Sequence, residues 1–446
     1  MRRSSVNHPR RQGNPIPQRT YQPRKGEGLL PGARARQDVI AALDVGSTKV
    51  CVLVAELSEE SEVDITGYGV APSHGMRRGV VVDVEGTVRA ICEAVEKAEH
   101  MADVRVRSVT LGVAGTHVQS FNNRGVIAIA REDKDITEED VARALEAARV
   151  LTIPPDRDII HVRPREFIVD GFDGIRDPVG MVGNRLEVEA NIVTGSTTSI
   201  ENILRCVARA DLEVEGTVLS GLASGEAVLH PAERELGVVV ADIGGGTTDV
   251  AIFDRGGLWH AAVIPVGGDH ITNDLAVGLR TPLAQAEKVK IQDGVALVDL
   301  APADEFVEIP DVGGSRTHRV GKRALAEIIQ PRVEEIFDLI VKEIKKSGRE
   351  GMLPGGIVVT GGTALLRGLD EVGQYETGLP VRVGYPQGQA GLADLVRNPG
   401  CSCAVGLVHF AAQNLLAKEE AGAAEPLSGL FAGIFGKVKN WFKQSY

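Results

Sequence analysis

The sequence predicts an α/β protein of two facing, duplicated halves. It adds a small α+β unit inserted in the first half and a separate amphipathic helix after the second. Three observations carry this expectation. Two stretches 198 residues apart share one design: "ALDVGSTKVCVLV" begins its signature at Asp44 and "VADIGGGTTDVAIF" at Asp242. Each is an apolar strand, an Asp, a glycine turn with Ser or Thr, and a second apolar strand, which is the pattern of an internal duplication. Composition agrees: 43% of the 446 residues are hydrophobic, only 4% are aromatic, and there are 52 glycines. That favours strands and helices joined by tight turns over an aromatic-rich sandwich. Finally, "LSGLFAGIFGKVKNWFKQSY" places apolar residues at helical spacing after an acidic, Pro-ended segment, "AKEEAGAAEP".

Residues 1–37 carry nine Lys/Arg against one acid and no apolar run. They read as a disordered basic arm of about +8 rather than a secretory signal, which leaves the rest of the chain near −20 of the overall −12. The arm is a solvated tail or an attractor of anionic lipid or nucleic acid; no nucleic-acid partner is expected for the body. Order begins at Asp38 with the first hairpin and a third strand in "DITGYGVAPS". "EGTVRAICEAVEKAEHMA" has a helical apolar face, and "ITEEDVARALEAARV" is a second helix with Thr137 as its N-cap. With the strands around them, they define an inserted α+β unit at 80–170. "RLEVEANIVTG", a capped helix from "STTSIENILRCVARA", and "LEVEGTVLSGLAS" complete the first half. The second half has its own hairpin, helices at "ITNDLAVGLR" and "PLAQAEKVKIQ", a long helix at 322–346, then the strand–turn–helix "GGIVVTGGTALLRGLDEV". "CSCAVGLVHFAAQNLL" is a final packed helix. No stretch reads as the 18 or more apolar residues needed to span a bilayer. The five cysteines form no CxxC pair and read as reduced thiols of a cytoplasmic protein. The histidines show no ligand spacing.

The chemistry of the repeated hairpins suits a polyphosphate. Glycines allow close backbone approach, and turn N–H groups make an anion nest. Ser47, Thr48, Thr247 and Thr248 add hydroxyls. Asp44 and Asp242 would repel phosphate directly, so they imply a Mg²⁺ held through water between them and the phosphates. Other nucleotide motifs are missing: there is no GxxxxGK[ST] and no strand-linked GxGxxG with a following acid.

"DVGSTK", "DIGGGTTDVAIF" and "VVTGGTALLRGL" resemble the two phosphate loops and the adenosine loop of the actin/DnaK/hexokinase superfamily. The inserted unit and the terminal helix make the chain similar to the FtsA family within it. The resemblance covers 38–446 and implies an actin-like, two-lobed fold of ribonuclease H-like halves. It implies subdomain 1A at 38–79 and 171–230, 1C at 80–170, 2A at 231–281 and 350–399, and a helical 2B at 282–349. A helix at 400–416 returns to 1A, a linker spans 417–426, and a membrane-targeting helix spans 427–446.

The resemblance also implies residue roles. Asp44, Gly46, Ser47, Thr48 and Lys49 form the first phosphate clamp. Asp242, Gly244, Gly245, Gly246, Thr247, Thr248 and Asp249 form the second. Gly361, Gly362 and Thr363 make the adenosine turn, and Glu287 and Lys290, on one helix face, hold ribose and adenine. Glu226 is the candidate that orients water for slow ATP hydrolysis. ATP with Mg²⁺, self-assembly, FtsZ bound through 2B, other divisome proteins through 1C, and the cytoplasmic face of the inner membrane at the septum all follow as expectations.

Taken as a helix, Leu427, Leu430, Phe431, Ile434, Phe435, Val438, Trp441 and Phe442 fall within an arc of about 140°. Lys437, Lys439 and Lys443 flank that face. Such a segment suits a lipid interface, with lysines near the headgroups; a partner's groove and packing on the chain's own core are the competing readings, the latter disfavoured because the linker shows that the globular pattern has already finished. A small-molecule kinase of the same superfamily is the rival reading, but it gives no reason for this segment. A reactivating or chaperone ATPase and a type IV pilus relative such as PilM are further rivals.

Overall fold

A computed structural model describes residues 39–58, 62–150, 153–313 and 317–422. The basic arm and residues 427–446, expected to form a membrane-targeting helix, lie outside the described residues.

The first lobe opens with β1 (Val39–Val45), β2 (Lys49–Leu57) and β3 (Val63–Pro72). A two-residue ribbon, β4 (Met76–Arg77) and β5 (Val80–Val81), leads into helix α1 (Val84–Ala102) and strand β6 (Ser108–Val113). The inserted unit follows: β7 (Gln119–Ala128), α2 (Glu138–Arg149), β8 (Arg157–Val169), β9 (Phe172–Ile175) and β10 (Arg185–Ser196). The chain returns through α3 (Thr197–Arg209), β11 (Glu213–Leu219), α4 (Ser220–Val228) and α5 (Pro231–Leu236).

The second lobe comprises β12 (Val238–Ile243), β13 (Thr248–Asp254), β14 (Gly257–Ile264), α6 (Gly268–Leu279) and α7 (Leu283–Asp293). It continues with β15 (Phe306–Pro310), β16 (Thr317–Gly321), α8 (Lys322–Lys346), β17 (Ile357–Thr360), α9 (Leu369–Thr377) and β18 (Val381–Val383). Strand β19 (Gln389–Gly391), α10 (Ala393–Val396) and α11 (Ser402–Gly422) close the described chain.

The duplication expected from the hairpins extends through both sheets. The first sheet runs β11-β6-β1-β2-β3-β19 and the second β14-β13-β12-β17-β18. In each, the signature hairpin is antiparallel and its first strand pairs in parallel with a later one, β1 with β6 and β12 with β17. Parallel pairs need a crossover, and the crossovers carry α1 and α3 in the first lobe and α6 to α9 in the second.

The inserted unit is displaced from its expected bounds of 80–170. Its sheet, β7-β10-β8-β9, spans 119–196 and is covered by α2. Thr137 caps α2 as expected, with Asp140 reaching back to its N–H at 3.0 Å. Helix α1, assigned to the insertion by its place in the chain, belongs to the first lobe. Its Ala94 and Ala98 backbone lies against Gly67 and Gly69 of β3, where a Cβ on Gly69 would come within 1.9 Å of the Ala94 carbonyl. An apolar helix face shows that a helix is buried, not which sheet covers it.

Three other boundaries move. The 350–399 segment is split between lobes, because β19 pairs with β3 of the first sheet. The 282–349 segment is not an independent helical unit. It contains the β15–β16 ribbon, and α8 buries Leu325, Ile329, Val333, Ile336, Phe337, Ile340 and Ile344 in the core under β12, β13 and β17. At about 1.5–3 kcal/mol for each fully buried large apolar side chain, that face cannot be released to a partner without unfolding the lobe. The expected linker at 417–426 is helical as far as Gly422.

The stretch Pro399–Ala417 is, by length and composition, apolar enough to cross a membrane, contrary to expectation. More than half of it is buried, and it packs on α4 and the first sheet. A Cβ on Gly406 would lie 1.8 Å from the Ala223 carbonyl. It is the core helix expected at 400–416.

Candidate nucleotide-binding cleft

The two signature hairpins meet between the lobes. Each turn is closed by the same bond, Gly46 N–H to the Lys49 carbonyl and Gly244 N–H to the Thr247 carbonyl, both at 2.9 Å. The glycines of the second turn receive the hydroxyls of the first. A Cβ on Gly245 would lie 1.9 Å from Thr48 Oγ1, and one on Gly246 would lie 2.6 Å from Ser47 Oγ.

Asp44 and Asp242 end strands β1 and β12, and Asp249 lies opposite Asp242 on β13. Burial raises the Asp44 carboxyl, with Lys49 working against the shift. Burial likewise raises Asp242 to about 6; the Ser224 hydroxyl, which donates to it, and Lys49 pull it down, and Asp44 pushes it up. Asp249 is held well above the ordinary carboxylate range by burial, Asp242 and Asp44, and its Oδ1 is buried with no hydrogen-bond partner. Lys49 is the cation among them. Burial lowers its ammonium, but the Cys401 and Cys51 thiols and the Asp44 and Asp242 carboxylates outweigh this and raise it.

Three carboxylates around one lysine leave negative charge unmet, so the site suits a further cation. Among the described residues no group of three His, Cys, Asp or Glu side chains could hold a metal directly. A Mg²⁺ held through water is the arrangement these residues fit.

The third loop joins the same centre. Gly361 has φ +85°, and a Cβ there would lie 2.3 Å from Asp242 Oδ1; only glycine tolerates that conformation and approach. Gly362 has open space around its Cα, and the Thr363 hydroxyl donates to the Gly244 carbonyl at 3.0 Å. Glu287 and Lys290 pair at 2.6 Å on α7, and Lys290 Nζ also donates to the Gly268 carbonyl at 3.0 Å. The structure therefore brings the three loops and α7 together, but the hydroxyl of Thr248, expected in the second clamp, donates instead to the Val266 carbonyl at 2.8 Å.

Glu226 is the exception. It pairs with Arg234 at 2.8 Å and accepts from Gln413 at 3.3 Å. Burial would raise its carboxyl, but Arg234 outweighs that and holds it below the ordinary range. On α4 it is Ser224, two residues earlier, that reaches Asp242. Among the described residues Glu226 is engaged by Arg234 and Gln413 and has no hydrogen bond or ion pair to either hairpin, contrary to its expected role as the water-orienting base.

Sequence reasoning missed the start of α6. Gly268 N–H donates to the Gly244 carbonyl at 2.9 Å and Asp269 N–H to the Gly245 carbonyl at 2.8 Å. Asp269, raised by burial, accepts from Thr48 of the opposite hairpin. Thr272 donates to Glu287. The glycine pair in "VGGDHIT", set between a strand and a helix, was the available signal.

Sequence comparison decides the family. The chain is 40% identical over 415 residues to the cell division protein FtsA of Pseudomonas aeruginosa, covering 92% of this chain and 98% of the relative. The chain belongs to the FtsA family. The FtsA of Bacillus subtilis is 40% identical over 377 residues, covering 84% of each chain, and that of Escherichia coli K12 is 35% identical over 415 residues. The family model for cell division protein FtsA matches residues 239–406, and the SHS2 domain inserted in FtsA matches 115–194. The latter coincides with the sheet from β7 to β10, a second ground for moving the insertion. Among solved structures, the PilM–PilN type IV pilus biogenesis complex aligns with TM-score 0.61 at 15% identity, covering 84% of this chain and 98% of that one. MreB 5 of Spiroplasma citri bound to AMPPNP aligns with TM-score 0.53 at 15% identity, covering 88% and 100%. The FtsA-family chain thus has the actin-like fold.

Proposed function

We propose that this FtsA-family chain binds ATP with Mg²⁺ in the cleft, self-assembles on the cytoplasmic face of the inner membrane, and tethers FtsZ filaments there at the division septum. The observation that carries the nucleotide part is the convergence of two hairpins of the same length and closing bond and the 361–363 turn on a carboxylate-rich cleft. The AMPPNP of the MreB neighbour supports it.

The chain's own residues have separable tasks. Ser47, Thr48 and the turn N–H groups of both hairpins orient phosphates, and Lys49 neutralises charge. Asp44 and Asp242 hold the waters of Mg²⁺, which when bound offsets the repulsion between carboxylates and phosphates. Glu287, Lys290 and Gly361–Thr363 hold the nucleoside end. In the described state Ser47 and Thr48 rest against Gly246 and Gly245, so phosphates enter by parting the hairpins and thereby set the angle between lobes. Hydrolysis is at most slow and does not use Glu226.

The tether is supported by the sequence of the final segment. Leu427, Leu430, Phe431, Ile434, Phe435, Val438, Trp441 and Phe442 form an apolar face flanked by lysines. Each anchor binds reversibly, and assembly adds avidity. FtsZ would dock on the 282–349 region, using surfaces other than the buried face of α8. Other divisome proteins would use the inserted unit.

The test is co-sedimentation with liposomes of the full chain and of a chain ending at Glu425, each with and without FtsZ and ATP. The full chain carries FtsZ to lipid; the shortened chain and Trp441→Glu leave it in solution. Equal delivery by the shortened chain refutes the tether.

A further inference from the structure

The β4–β5 ribbon stands at the edge of the cleft, beside the first signature hairpin. Its turn is Arg78–Gly79, with φ +50° and +74°. Two consecutive positive φ values are those of a tight hairpin turn whose twist matches its strands. The tip bonds the first signature hairpin and lies beside the second. Gly79 N–H donates to Ser47 Oγ at 3.2 Å, and the Arg78 backbone nitrogen lies 3.4 Å from where a Cβ on Gly246 would stand. From behind, the tip is braced on bare backbone: a Cβ on Gly79 would come within 2.4 Å of Gly115 Cα. Arg78 is exposed, and among the described residues it has no carboxylate partner.

The second hairpin gives the cleft a direction. Gly244 meets Gly268 and Thr363, beside Lys290 and Glu287, where the nucleoside end is held. Gly245 meets Thr48 and Asp269, and Gly246 meets Ser47 and Arg78. A phosphate chain running from Gly244 towards Gly246 reaches the ribbon tip last. The charge points the same way. Asp44, Asp242, Asp249 and Asp269 face the centre against Lys49, while Lys290 is engaged by Glu287, Thr272 and the Gly268 carbonyl. A terminal phosphate carries the greatest charge of the chain, and arginine's planar fork on a long stem is suited to it.

We propose that Arg78 is a nucleotide-binding residue that contacts the terminal phosphate of a nucleoside triphosphate, so that this site distinguishes triphosphate from diphosphate through the β4–β5 ribbon. The proposal rests on the nucleotide reading above. Because the tip also bonds Ser47, the residue that senses the last phosphate is joined to the hairpin that holds the others.

The experiment measures dissociation constants of ATP·Mg²⁺ and ADP·Mg²⁺ for the full chain and for Arg78→Ala, Arg78→Lys and Arg77→Ala. Thermal unfolding confirms that each is folded. Arg77, the preceding exposed residue on β4, controls for charge in the neighbourhood. Arg78→Ala weakens ATP about tenfold, the size of one charge-assisted hydrogen bond, and changes ADP less than about twofold. Arg78→Lys regains part of the loss, and Arg77→Ala behaves as the parent. An unchanged ATP/ADP ratio in Arg78→Ala, or an equal drop in Arg77→Ala, overturns the assignment. Failure of the parent chain to bind either nucleotide overturns the nucleotide site itself, and that outcome is separable because it is read before any variant.

Discussion

The two signature hairpins have the same length and the same closing bond, yet they are not interchangeable. Asp44 pairs with Cys51 across the first turn and Asp242 with Asp249 across the second, so Ser47, Thr48 and Lys49 correspond to Gly245, Gly246 and Thr247. One turn presents hydroxyls and an ammonium. The other presents space, and behind it a further carboxylate. The duplicated backbone provides symmetry, and the side chains divide the labour: one hairpin grips and the other makes room. A close approach is possible only if one of two facing turns lacks side chains.

Filling the space is the most damaging way to break this complementarity. Gly245→Val puts a branched side chain where even a Cβ meets Thr48 Oγ1 at 1.9 Å. The hairpins are forced apart, and nucleotide affinity falls by about a hundredfold or more, as a displaced positioning group costs. Calorimetric titration with ATP·Mg²⁺ reads the loss, and Gly246→Ala, whose single added methyl meets the Ser47 side chain at 2.6 Å (Oγ) and 2.8 Å (Cβ), loses less.

The next effect concerns charge. Asp242 is raised to about 6, against about 3.9 in an unfolded chain. Between those values the folded protein holds a proton that the unfolded chain has released, so each upward step in pH costs stability until both states are ionised above about 6. This carboxyl therefore contributes more to the melting temperature of the nucleotide-free chain at pH 5 than at pH 7, by about a few degrees. Asp242→Asn removes that part of the slope and raises the pH 7 melting temperature while weakening ATP·Mg²⁺ about tenfold. A variant that is destabilised at pH 7, with the slope intact, would contradict the charge assignment.

Removing the grip is milder than filling the space. Ser47→Ala and Thr48→Ala each lose one hydroxyl and weaken ATP·Mg²⁺ about three- to tenfold, in line with one neutral hydrogen bond. If either loss matches that of Gly245→Val, the division between grip and room is wrong. The smallest effect belongs to Glu226→Ala. ATP turnover is unchanged, while the melting temperature drops because Arg234 loses its buried partner. A turnover assay that falls with Glu226→Ala would restore its catalytic role.

The legible part of the cleft was the part written locally. Asp44 to Lys49, Asp242 to Asp249 and Gly361 to Thr363 each sit in one short strand–turn unit, where residue type, turn conformation and phosphate chemistry constrain one another over a few positions. Glu287 and Lys290 were legible through their resemblance to a family pattern, which helical spacing puts on one face. Asp269, Ser224 and Arg78 were not. Each acts across a gap in sequence: Asp269 on Thr48, Ser224 on Asp242, and the Arg78 turn on Ser47. Glu226 failed for the reverse reason. A carboxylate one and a half turns along the helix from the cleft end looks available until Arg234 is placed beside it.

By itself the sequence determined the duplicated hairpins, the residues of their turns, most strands and helices, and the amphipathic pattern of 427–443. These depend on periods of two and 3.6 residues and on turn chemistry, which act over a few residues. Tertiary structure alone decided that α1 covers the first sheet through Gly67 and Gly69, that the insertion runs 119–196, that α8 is core, and that Glu226 is spent on Arg234. The physical reason is common to all four. Periodicity states that a face will be buried or a charge paired, but the partner is selected by packing between segments distant in sequence, where a missing Cβ or one guanidinium settles the choice.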